Sequence, residues 1–341
     1  MELFYRYGVK NIIGFQYGFE GLVPGYKHAP VLLNPELVDD IHLHGGSILG
    51  SSRGDQDVKV MVDTLQKSSI NILFCIGGDG TLRGAEQIFL EVSRRKLSIA
   101  IAAVPKTIDN DINYIEKSFG FETAFSKAHD ILTDAHNEAK GFYNGIVVVK
   151  LMGRDSGFIA AHATLSAQEV NFILVPEMGE FLLEGEHGFL SALKKRILLK
   201  HHALILVAEG AGQHLFEREP GQRDSSGNIK RNDIGLLLKE KIASYFKKSD
   251  IPVSLKYIDP SYIIRSAQAT ANDSKFCHQL GQNVVHGAMA GKTGFVVGIW
   301  SDTFTYIPIK STLGGRKKID MESELWWSVM EATGQPIKFG N

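Results

Sequence analysis

The stretch INILFCIGGDGTLRGA, residues 70–85, joins an apolar run to a helical pattern through a glycine-rich turn that carries one carboxylate, Asp79. Residues 70–76 predict a buried strand, and residues 81–96 predict a helix with one apolar face. Glycines after a strand let backbone N–H groups approach a phosphate, and the following helix N-terminus favours an anion. A magnesium ion would account for Asp79, because Mg²⁺ takes carboxylate and phosphate oxygens together. The alternative is a structural turn in which Asp79 caps the helix.

The rest of the chain repeats this alternation of strand and helix. Strands that are buried on both faces predict parallel sheets covered by crossover helices, so the expected fold class is α/β. The helical pattern is clearest at residues 121–140 and in a closing helix at residues 323–334. A polar stretch at residues 217–231 predicts one long exposed and mobile loop. Further strands are predicted at residues 97–104, 145–152, 170–175, 202–210, 251–258 and 293–300.

The composition is that of an ordinary globular protein. The chain has 341 residues, of which 44% are hydrophobic and 22% are charged, with a formal net charge of −1. This length accommodates two domains, and the balanced charge argues against nucleic acid or a membrane as the main partner. The two cysteines have no pairing framework or metal spacing, which favours the reducing cytoplasm. No apolar run has the roughly 18 residues that a membrane helix needs.

A second loop, PKTIDNDI at residues 105–112, adds two carboxylates, Asp109 and Asp111, and the amine of Lys106. One βαβ unit separates it from GGDGT, so both loops should leave the carboxyl edge of the sheet side by side. Carboxylates with a metal, a phosphate cradle and a lysine are the parts of a phosphoryl-transfer site. One carboxylate can hold the metal while another accepts the proton of an attacking hydroxyl. The alternative is a polar turn held by side-chain caps.

Three arginines follow apolar runs in loops: Arg53 in GSSRGD, Arg154 in MGRDSG and Arg265 in SYIIRS. A guanidinium suits phosphate because it donates two parallel hydrogen bonds. Together with the acidic loops they indicate a substrate that is itself phosphorylated. Glu209 in VAEGAGQ can accept hydrogen bonds from sugar hydroxyls or serve as a cap.

The motifs GGDGT, PKTIDNDI, KLMGRDSGF, VAEGAGQ and KYIDPSYIIR resemble, in order and approximate spacing, those of the 6-phosphofructokinase family. The lysine of PKT and the DPSY stretch resemble its plant, protist and pyrophosphate-linked branch. The resemblance implies two unequal Rossmann-like domains with mostly parallel sheets and an active site in the cleft between them. Residues 1–140 with about 266–312 would bind nucleotide, and residues 141–265 with about 313–341 would bind the sugar phosphate. It also implies homodimers or homotetramers and allosteric control.

The resemblance also implies a role for each residue of the reacting centre. Asp109 would be the general base on the 1-hydroxyl of fructose 6-phosphate, while Asp79 and Asp111 would hold Mg²⁺. Lys106 and Thr107 would contact the transferred phosphoryl group, and Arg154 would join them as a catalytic residue. The implied contacts of ATP are Gly78, Asp79, Gly80, Thr81, Arg53 and Phe19.

The sugar phosphate has its own implied set of residues. Lys256 stands where short bacterial members have an arginine that reaches this phosphate from a neighbouring subunit. The implied contacts of fructose 6-phosphate are Thr107, Asp109, Asp111, Met152, Gly153, Arg154, Glu209, Lys256, Tyr262 and Arg265.

Gly80 favours ATP over pyrophosphate as the donor. Pyrophosphate-using relatives resemble this loop but carry Asp at this position, where a carboxylate would repel the α-phosphate of ATP. The expected activity is therefore transfer from ATP to fructose 6-phosphate, with Mg²⁺ as cofactor. Lys106 leaves a pyrophosphate-dependent enzyme open as an alternative.

A third hypothesis is an inactive or regulatory family member. The family opens with a strand and a glycine-rich loop, G-G-x-x-P-G-x-N, whereas the first matching segment here is KNIIGFQYGFEGL at residues 10–22. Without that strand its neighbours would keep unpaired backbone groups, each costing about 1–3 kcal/mol when buried. We therefore expect the chain as written to be unstable and weakly active, with a start site set too far downstream.

Overall fold

The computed structural model describes residues 1–216 and 231–340, which divide into two units. Unit 1 comprises Met1–Glu122 and Ser266–Lys317. Unit 2 comprises the described residues of 123–265 together with 318–340. The loop predicted at residues 217–231 lies outside the described residues except for Arg231.

The described residues form short and long strands that alternate with helices. No helix among them is long and apolar enough to span a membrane. The strands are β1 (Ile13–Gly14), β2 (Val31–Leu32), β3 (Ile72–Gly77), β4 (Ala100–Thr107), β5 (Phe119–Gly120), β6 (Gly145–Leu151), β7 (Phe172–Leu174), β8 (His202–Ala208), β9 (Ser254–Ile258), β10 (Phe295–Trp300) and β11 (Thr303–Pro308). The helices are α1 (Glu2–Tyr5), α2 (Val58–Lys67), α3 (Asp79–Arg94), α4 (Phe121–Lys140), α5 (Phe158–Ala167), α6 (Phe189–Lys200), α7 (Ile234–Lys248), α8 (Ala271–Met289) and α9 (Glu324–Thr333).

The main sheet of unit 1 has the strand order β11-β10-β4-β3, with β5 pairing beside the end of β4. Its pairings are parallel except for the antiparallel pair of β10 and β11. Strand β11 was not predicted from the sequence. The two residues between these strands, Ser301 and Asp302, have φ values of 47° and 59°, and positive φ at both positions is typical of a tight hairpin turn.

Strand β4 differs from its predicted position at residues 97–104 and ends three residues later, at Thr107. Its carboxyl end pairs with β5 through Lys106 opposite Phe119 and Thr107 opposite Gly120. Lys106 and Thr107 are therefore the last residues of a strand and not part of a loop. The pairing fixes the backbone that leads into Asp109.

Strand β3 lies at one edge of this sheet among the described residues, and its register places Ile72 opposite Ala100. Ile76, near its carboxyl end, is 60% exposed. The chain then turns into α3, which begins at Asp79 and not at the predicted residue 81. A side chain at Gly77 could not be accommodated, because its Cβ would lie 2.6 Å from the Cβ of Thr81.

Unit 2 contains a sheet of order β7-β8-β6-β9 in which every pairing is parallel. Strand β8 is buried along nearly its whole length, as predicted for a sheet covered on both faces, whereas β9 is half-buried throughout. Helices α6 and α7 contribute Phe189, Leu193 and Ile242 to the core beneath it. This order brings the carboxyl ends of β6, β8 and β9 to one edge, where the loops with Arg154, Glu209 and Tyr262 begin.

Candidate active site

The turn after β3 and the end of β4 lie side by side in unit 1, as the βαβ spacing predicted. A Cβ added to Gly78 would lie 3.5 Å from the Cβ of Thr107 and 3.6 Å from the carbonyl oxygen of Lys106. Gly78 is also the N-cap residue of α3, and Asp79 is the first residue of the helix. The N-terminus of α3, where the first N–H groups lack partners within the helix, therefore lies beside the end of β4 and favours an anion there.

Asp79 and Asp111 share one guanidinium, that of Arg316, and these three residues are called the acidic cluster below. Arg316 Nη2 lies 3.9 Å from Asp79 Oδ2, and Arg316 Nη1 lies 3.6 Å from Asp111 Oδ2. The side chains of Asp79 and Asp111 are 17% and 5% exposed. Arg83, one helical turn after Asp79, donates to the same Oδ2 at 2.5 Å. Two positive side chains thus balance a carboxylate pair at the start of α3.

The segment that carries Arg316 is held to the PKTIDNDI loop by its backbone. The N–H of Lys317 donates to the carbonyl of Asp111 at 2.8 Å, and Asn113 Nδ2 donates to the carbonyl of Gly315 at 2.8 Å. The Lys317 ammonium donates to the carbonyls of Ile115 and Glu116 at 2.7 and 3.0 Å. Burial lowers the pKa of Lys317 to about 8. This segment was not predicted from the sequence, although the basic run GGRKK at residues 314–318 is a visible signal.

Asp109 lies in a turn that is held by its own polar groups. Its N–H donates to Thr107 Oγ1 at 3.1 Å, and the buried Asn110 accepts the N–H of Ser118 at 3.0 Å. Asn110 has a φ of 52°, a left-handed conformation that asparagine tolerates better than most residues. The Asp109 side chain is half-buried and Lys106 is exposed. The same residues can therefore form both a polar turn held by side-chain hydrogen bonds and part of a phosphoryl-transfer site.

Gly80 borders open space on the surface of α3. A Cβ added there would meet no atom of the described residues within 4 Å beyond its own helix turn. Phe19, expected at the nucleotide, packs on Gly84 of the same helix and against the core of unit 1. Thr81 lies against Gly77, and Arg53 is exposed.

The two carboxylates of the acidic cluster fit the way in which phosphoryl-transfer sites bind magnesium. No group of three or more histidine, cysteine or carboxylate side chains that could hold a metal occurs in the described part of the chain. Mg²⁺ in such sites uses one or two carboxylates and completes its octahedron with water and substrate phosphates. Asp79 and Asp111 match this donor set in number and chemistry.

In unit 2 the MGRDSG loop, residues 152–157, is fixed by glutamates. Glu209 Oε1 accepts the backbone N–H of Arg154 at 2.7 Å. Arg154 has a φ of 53°, and Gly153 has a φ of 142° with its Cβ position only 2.5 Å from the carbonyl oxygen of Ser156. One carboxylate oxygen of Glu209 therefore binds the backbone, as expected if this residue serves as a cap. Met152 is half-buried at the start of the loop.

Glu177 is a second glutamate that binds the MGRDSG loop, and this role was not predicted from the sequence. Its carboxylate accepts the N–H of Gly157 at 3.0 and 3.1 Å and the N–H of Ile319 at 3.1 Å. Burial raises the pKa of Glu177, although these hydrogen bonds oppose the shift. The MGRDSG loop is therefore anchored at both Arg154 and Gly157 before any ligand is bound.

The DPSY turn after β9 presents its aromatic side chain to solvent. Tyr262 is 72% exposed, and Arg265 is also exposed. Asp259 Oδ1 accepts the N–H and the hydroxyl of Ser261 at 3.0 and 2.9 Å, which shapes the turn. Lys256 forms an ion pair with Glu138, and its ammonium lies 4.4 Å from the ring centre of Phe142. Its predicted contact with a sugar phosphate remains a prediction.

Comparisons with known proteins decide the family. The family profile described as Phosphofructokinase matches residues 1–288. The chain belongs to the phosphofructokinase family. The ATP-dependent 6-phosphofructokinase of Borreliella burgdorferi is 50% identical over an alignment of 341 positions that covers 98% of this chain and 76% of the relative. The ATP-dependent 6-phosphofructokinase 7 of Arabidopsis thaliana is 44% identical, covering 99% of this chain and 70% of the relative.

Solved phosphofructokinases share the fold at lower identity. The pyrophosphate-dependent phosphofructokinase from Marinobacter aquaeolei matches with a TM-score of 0.76 and 19% identity, covering 97% of this chain and 84% of its own. The Saccharomyces cerevisiae phosphofructokinase matches with a TM-score of 0.69 and 20% identity, covering 89% of this chain and 41% of its own. These likenesses confirm the predicted α/β fold with mostly parallel sheets.

Membership in the phosphofructokinase family confirms the resemblance read from the motifs. The roles given to single residues and the division into nucleotide and sugar-phosphate domains stay predictions. The unit boundary falls between Glu122 and Thr123, whereas the sequence analysis set it near residue 140. Helix α4 accordingly belongs almost entirely to unit 2.

Proposed function

We propose that this phosphofructokinase transfers the γ-phosphoryl group of ATP to the 1-hydroxyl of fructose 6-phosphate, giving fructose 1,6-bisphosphate. The observation that carries the proposal is the carboxylate pair Asp79 and Asp111, which shares one guanidinium at the start of α3 beside Thr107. Relatives that are 42–50% identical to this chain are named ATP-dependent 6-phosphofructokinase.

Unit 1 supplies the groups for the donor in this proposal. Asp79 and Asp111 would hold Mg²⁺, which when bound would neutralise charge on the phosphates. The N–H groups at the start of α3 donate to phosphate oxygens next to Gly78 and Gly80. Thr107 and Lys106, at the end of β4, contact the phosphoryl group in transfer. Arg316 offsets the two negative charges that the anionic nucleotide would otherwise meet.

Asp109 is the general base of the proposed reaction. Its carboxylate accepts the proton of the sugar 1-hydroxyl as that oxygen forms a bond to phosphorus and the bond to the leaving phosphate breaks. The hydrogen bond between its N–H and Thr107 Oγ1 couples the position of the base to that of the residue at the phosphoryl group. Asp111 would bind the metal in this proposal, so the proton is assigned to Asp109 alone.

Unit 2 supplies the groups for the acceptor. Arg154 and Arg265 form ion pairs with the 6-phosphate. Tyr262 and the second carboxylate oxygen of Glu209 contact the sugar. Glu209 and Glu177 hold the backbone of the MGRDSG loop, so the Arg154 side chain leaves from a fixed position. Such preorganisation lowers the entropy cost of ordering on binding.

The surroundings of Gly80 support ATP as the donor, because a Cβ added there would meet no atom of the described residues within 4 Å outside its own helix turn. A coupled assay of purified protein with fructose 6-phosphate and either ATP or pyrophosphate tests the proposal. We expect turnover with ATP and none with pyrophosphate. Turnover with pyrophosphate alone would contradict the donor assignment, and no turnover with either would support an inactive member.

We also propose a cytoplasmic homodimer or homotetramer, which rests on the family resemblance. Light scattering coupled to size-exclusion chromatography tests the assembly. A mass of about 38 kDa, that of one chain, would contradict it.

A further inference from the structure

Lys150 in unit 2 carries a partly buried charge that none of the roles above uses. It lies at the end of β6, two residues before Met152 of the MGRDSG loop. Its ammonium lies 2.7 Å from Asp233 Oδ2 and 2.9 Å from Asp259 Oδ2, and its side chain is 15% exposed. A buried ammonium needs such partners, because an unpaired charge there is costly.

Each of the two aspartates divides its oxygens between Lys150 and a local backbone turn. Asp233 Oδ1 accepts the N–H of Leu236 at 3.1 Å, which caps α7, and the hydroxyl of Tyr257 at 2.9 Å. Asp259 Oδ1 accepts from Ser261 in the DPSY turn. Lys150 therefore joins three pieces of chain: the end of β6, the start of α7 and the turn that precedes Tyr262.

The titration of these groups agrees with a tightly paired cluster. Burial alone would lower the pKa of Lys150, but hydrogen bonds to the two carboxylates and to Tyr257 raise it above the ordinary value. Burial would raise the pKa of Asp233, but the bond to Lys150 helps to lower it. Lys150 therefore stays positively charged and Asp233 stays negatively charged through the neutral range.

We propose that Lys150 is a positioning residue for the phosphorylated sugar. It touches no substrate, and it acts through Asp259 on the turn that leads to Tyr262 and Arg265, while its own strand leads directly into Arg154. The inference rests on the proposed function, because it assumes that these loops receive the sugar phosphate. It concerns neither the metal nor the nucleotide.

The test replaces Lys150 by methionine, which keeps the length of the side chain and removes its charge. Because a small misplacement of binding groups can cost about 100-fold, we expect Lys150→Met to raise the KM and the Kd for fructose 6-phosphate by about 10- to 100-fold. The KM for ATP should stay within about 2-fold, as it does when a substitution removes only binding of the other substrate. Lys150→Arg, which keeps the charge, should recover most of the loss.

Lys194→Met is the matched control in the same unit. Lys194 Nζ donates to Ser249 Oγ at 3.3 Å, just beyond the C-terminus of α7, whereas Asp233 caps the other end of that helix. The helix has 15 residues, so these ends are about 22 Å apart at 1.5 Å per residue. The control should leave both KM values and the Kd unchanged.

The inference would be overturned if a folded Lys150→Met protein bound fructose 6-phosphate as tightly as the wild type. It would also be overturned if the KM values for both substrates rose equally. If Lys150→Met does not fold, Asp259→Asn serves instead, since it retains an acceptor for Ser261 and loses the ion pair. Normal sugar binding in that variant would also overturn it. A wild-type protein without fructose 6-phosphate activity contradicts the proposed function, whereas an active wild type with an unaffected variant contradicts only the role of Lys150.

Discussion

The acidic cluster of unit 1 and the MGRDSG loop of unit 2 are held in different ways. In the acidic cluster, Arg316 stands 3.6 and 3.9 Å from its two carboxylates, although Arg83 also holds Asp79 at 2.5 Å. A Cβ added at Gly80 would meet no atom of the described residues within 4 Å outside its own helix turn. In the MGRDSG loop, Glu209 and Glu177 accept backbone N–H groups at 2.7 and 3.0 Å.

The difference matches the ligands proposed for each region. Long contacts between full charges can rearrange when a metal and a polyphosphate enter, because a charge interaction falls off gradually with distance. Short hydrogen bonds to the half-buried carboxylates of Glu209 and Glu177 fix the backbone from which the Arg154 side chain extends. The comparison therefore predicts that substitutions in the two regions affect the two substrates separately.

The largest expected effect falls on the chemical step. Asp109→Asn removes the proposed proton acceptor, so kcat should fall by about 10²- to 10⁴-fold, with little change in the Kd of either substrate. Asp130→Asn, at an exposed position of α4 whose carboxylate lies 3.5 Å from Lys127, is the control. Turnover close to that of the wild type in a folded Asp109→Asn protein would contradict the assignment.

The next effect belongs to the acceptor side of the comparison. Arg154→Ala and Arg265→Ala should each weaken fructose 6-phosphate binding by about 1.5–3 kcal/mol, the scale of a hydrogen bond to a charged group. ATP binding should be unchanged. Titration calorimetry with each ligand measures both, and Arg94→Ala, an exposed arginine that pairs with Glu91, is the control. Equal losses of binding free energy for ATP and fructose 6-phosphate would contradict the distinction between the two regions.

Arg316 should produce a smaller effect with the opposite selectivity. Removing a positive charge from a partly exposed site that receives anionic phosphates costs about 1 kcal/mol. Arg316→Gln should therefore weaken ATP binding in the presence of Mg²⁺ and leave fructose 6-phosphate binding unchanged. Arg316→Lys keeps the charge and should bind ATP nearly as well as the wild type. ATP binding that is unaltered in Arg316→Gln would show that this guanidinium is not part of the donor site.

The smallest effect concerns pH and the anchor of the MGRDSG loop. Burial raises the pKa of Glu177 above its usual 4.5, so the folded protein binds this proton more readily than the unfolded chain. The resulting contribution to stability is fully present below pH 4.5 and is lost as the pH rises through the folded-state pKa. Compared with Glu177→Gln, the wild type should lose unfolding free energy across that interval, measured by urea denaturation at each pH. A difference that is constant with pH would contradict the shift.

The sequence predicted the local parts of these regions well. The apolar run before GGDGT and the spacing within residues 121–140 define β3 and α4, since strand and helix patterns are visible within a few residues. The adjacency of Gly78 and Thr107 followed from one βαβ unit. Helix α4 begins and ends where it was predicted.

The sequence could not supply contacts between distant segments. Asn113 and Gly315, which bring Arg316 to the acidic cluster, are 202 positions apart. Lys150 interrupts an apolar strand, and nothing near it in the sequence indicates Asp233 or Asp259 as its partners. The β10–β11 hairpin was missed because its turn, Ser301–Asp302, lacks the glycine that marks most turns of this kind.

The central claim is that ATP is the donor and that its phosphates approach α3 at Gly80. Gly80→Asp and Gly80→Ala test it most directly, because a Cβ added at Gly80 would meet no atom of the described residues within 4 Å outside its own helix turn, and only the aspartate adds a charge. Calorimetric titration with ATP and Mg²⁺ should show lost binding for Gly80→Asp and nearly normal binding for Gly80→Ala, with fructose 6-phosphate bound normally by both. ATP binding to Gly80→Asp as tight as to the wild type would contradict the account.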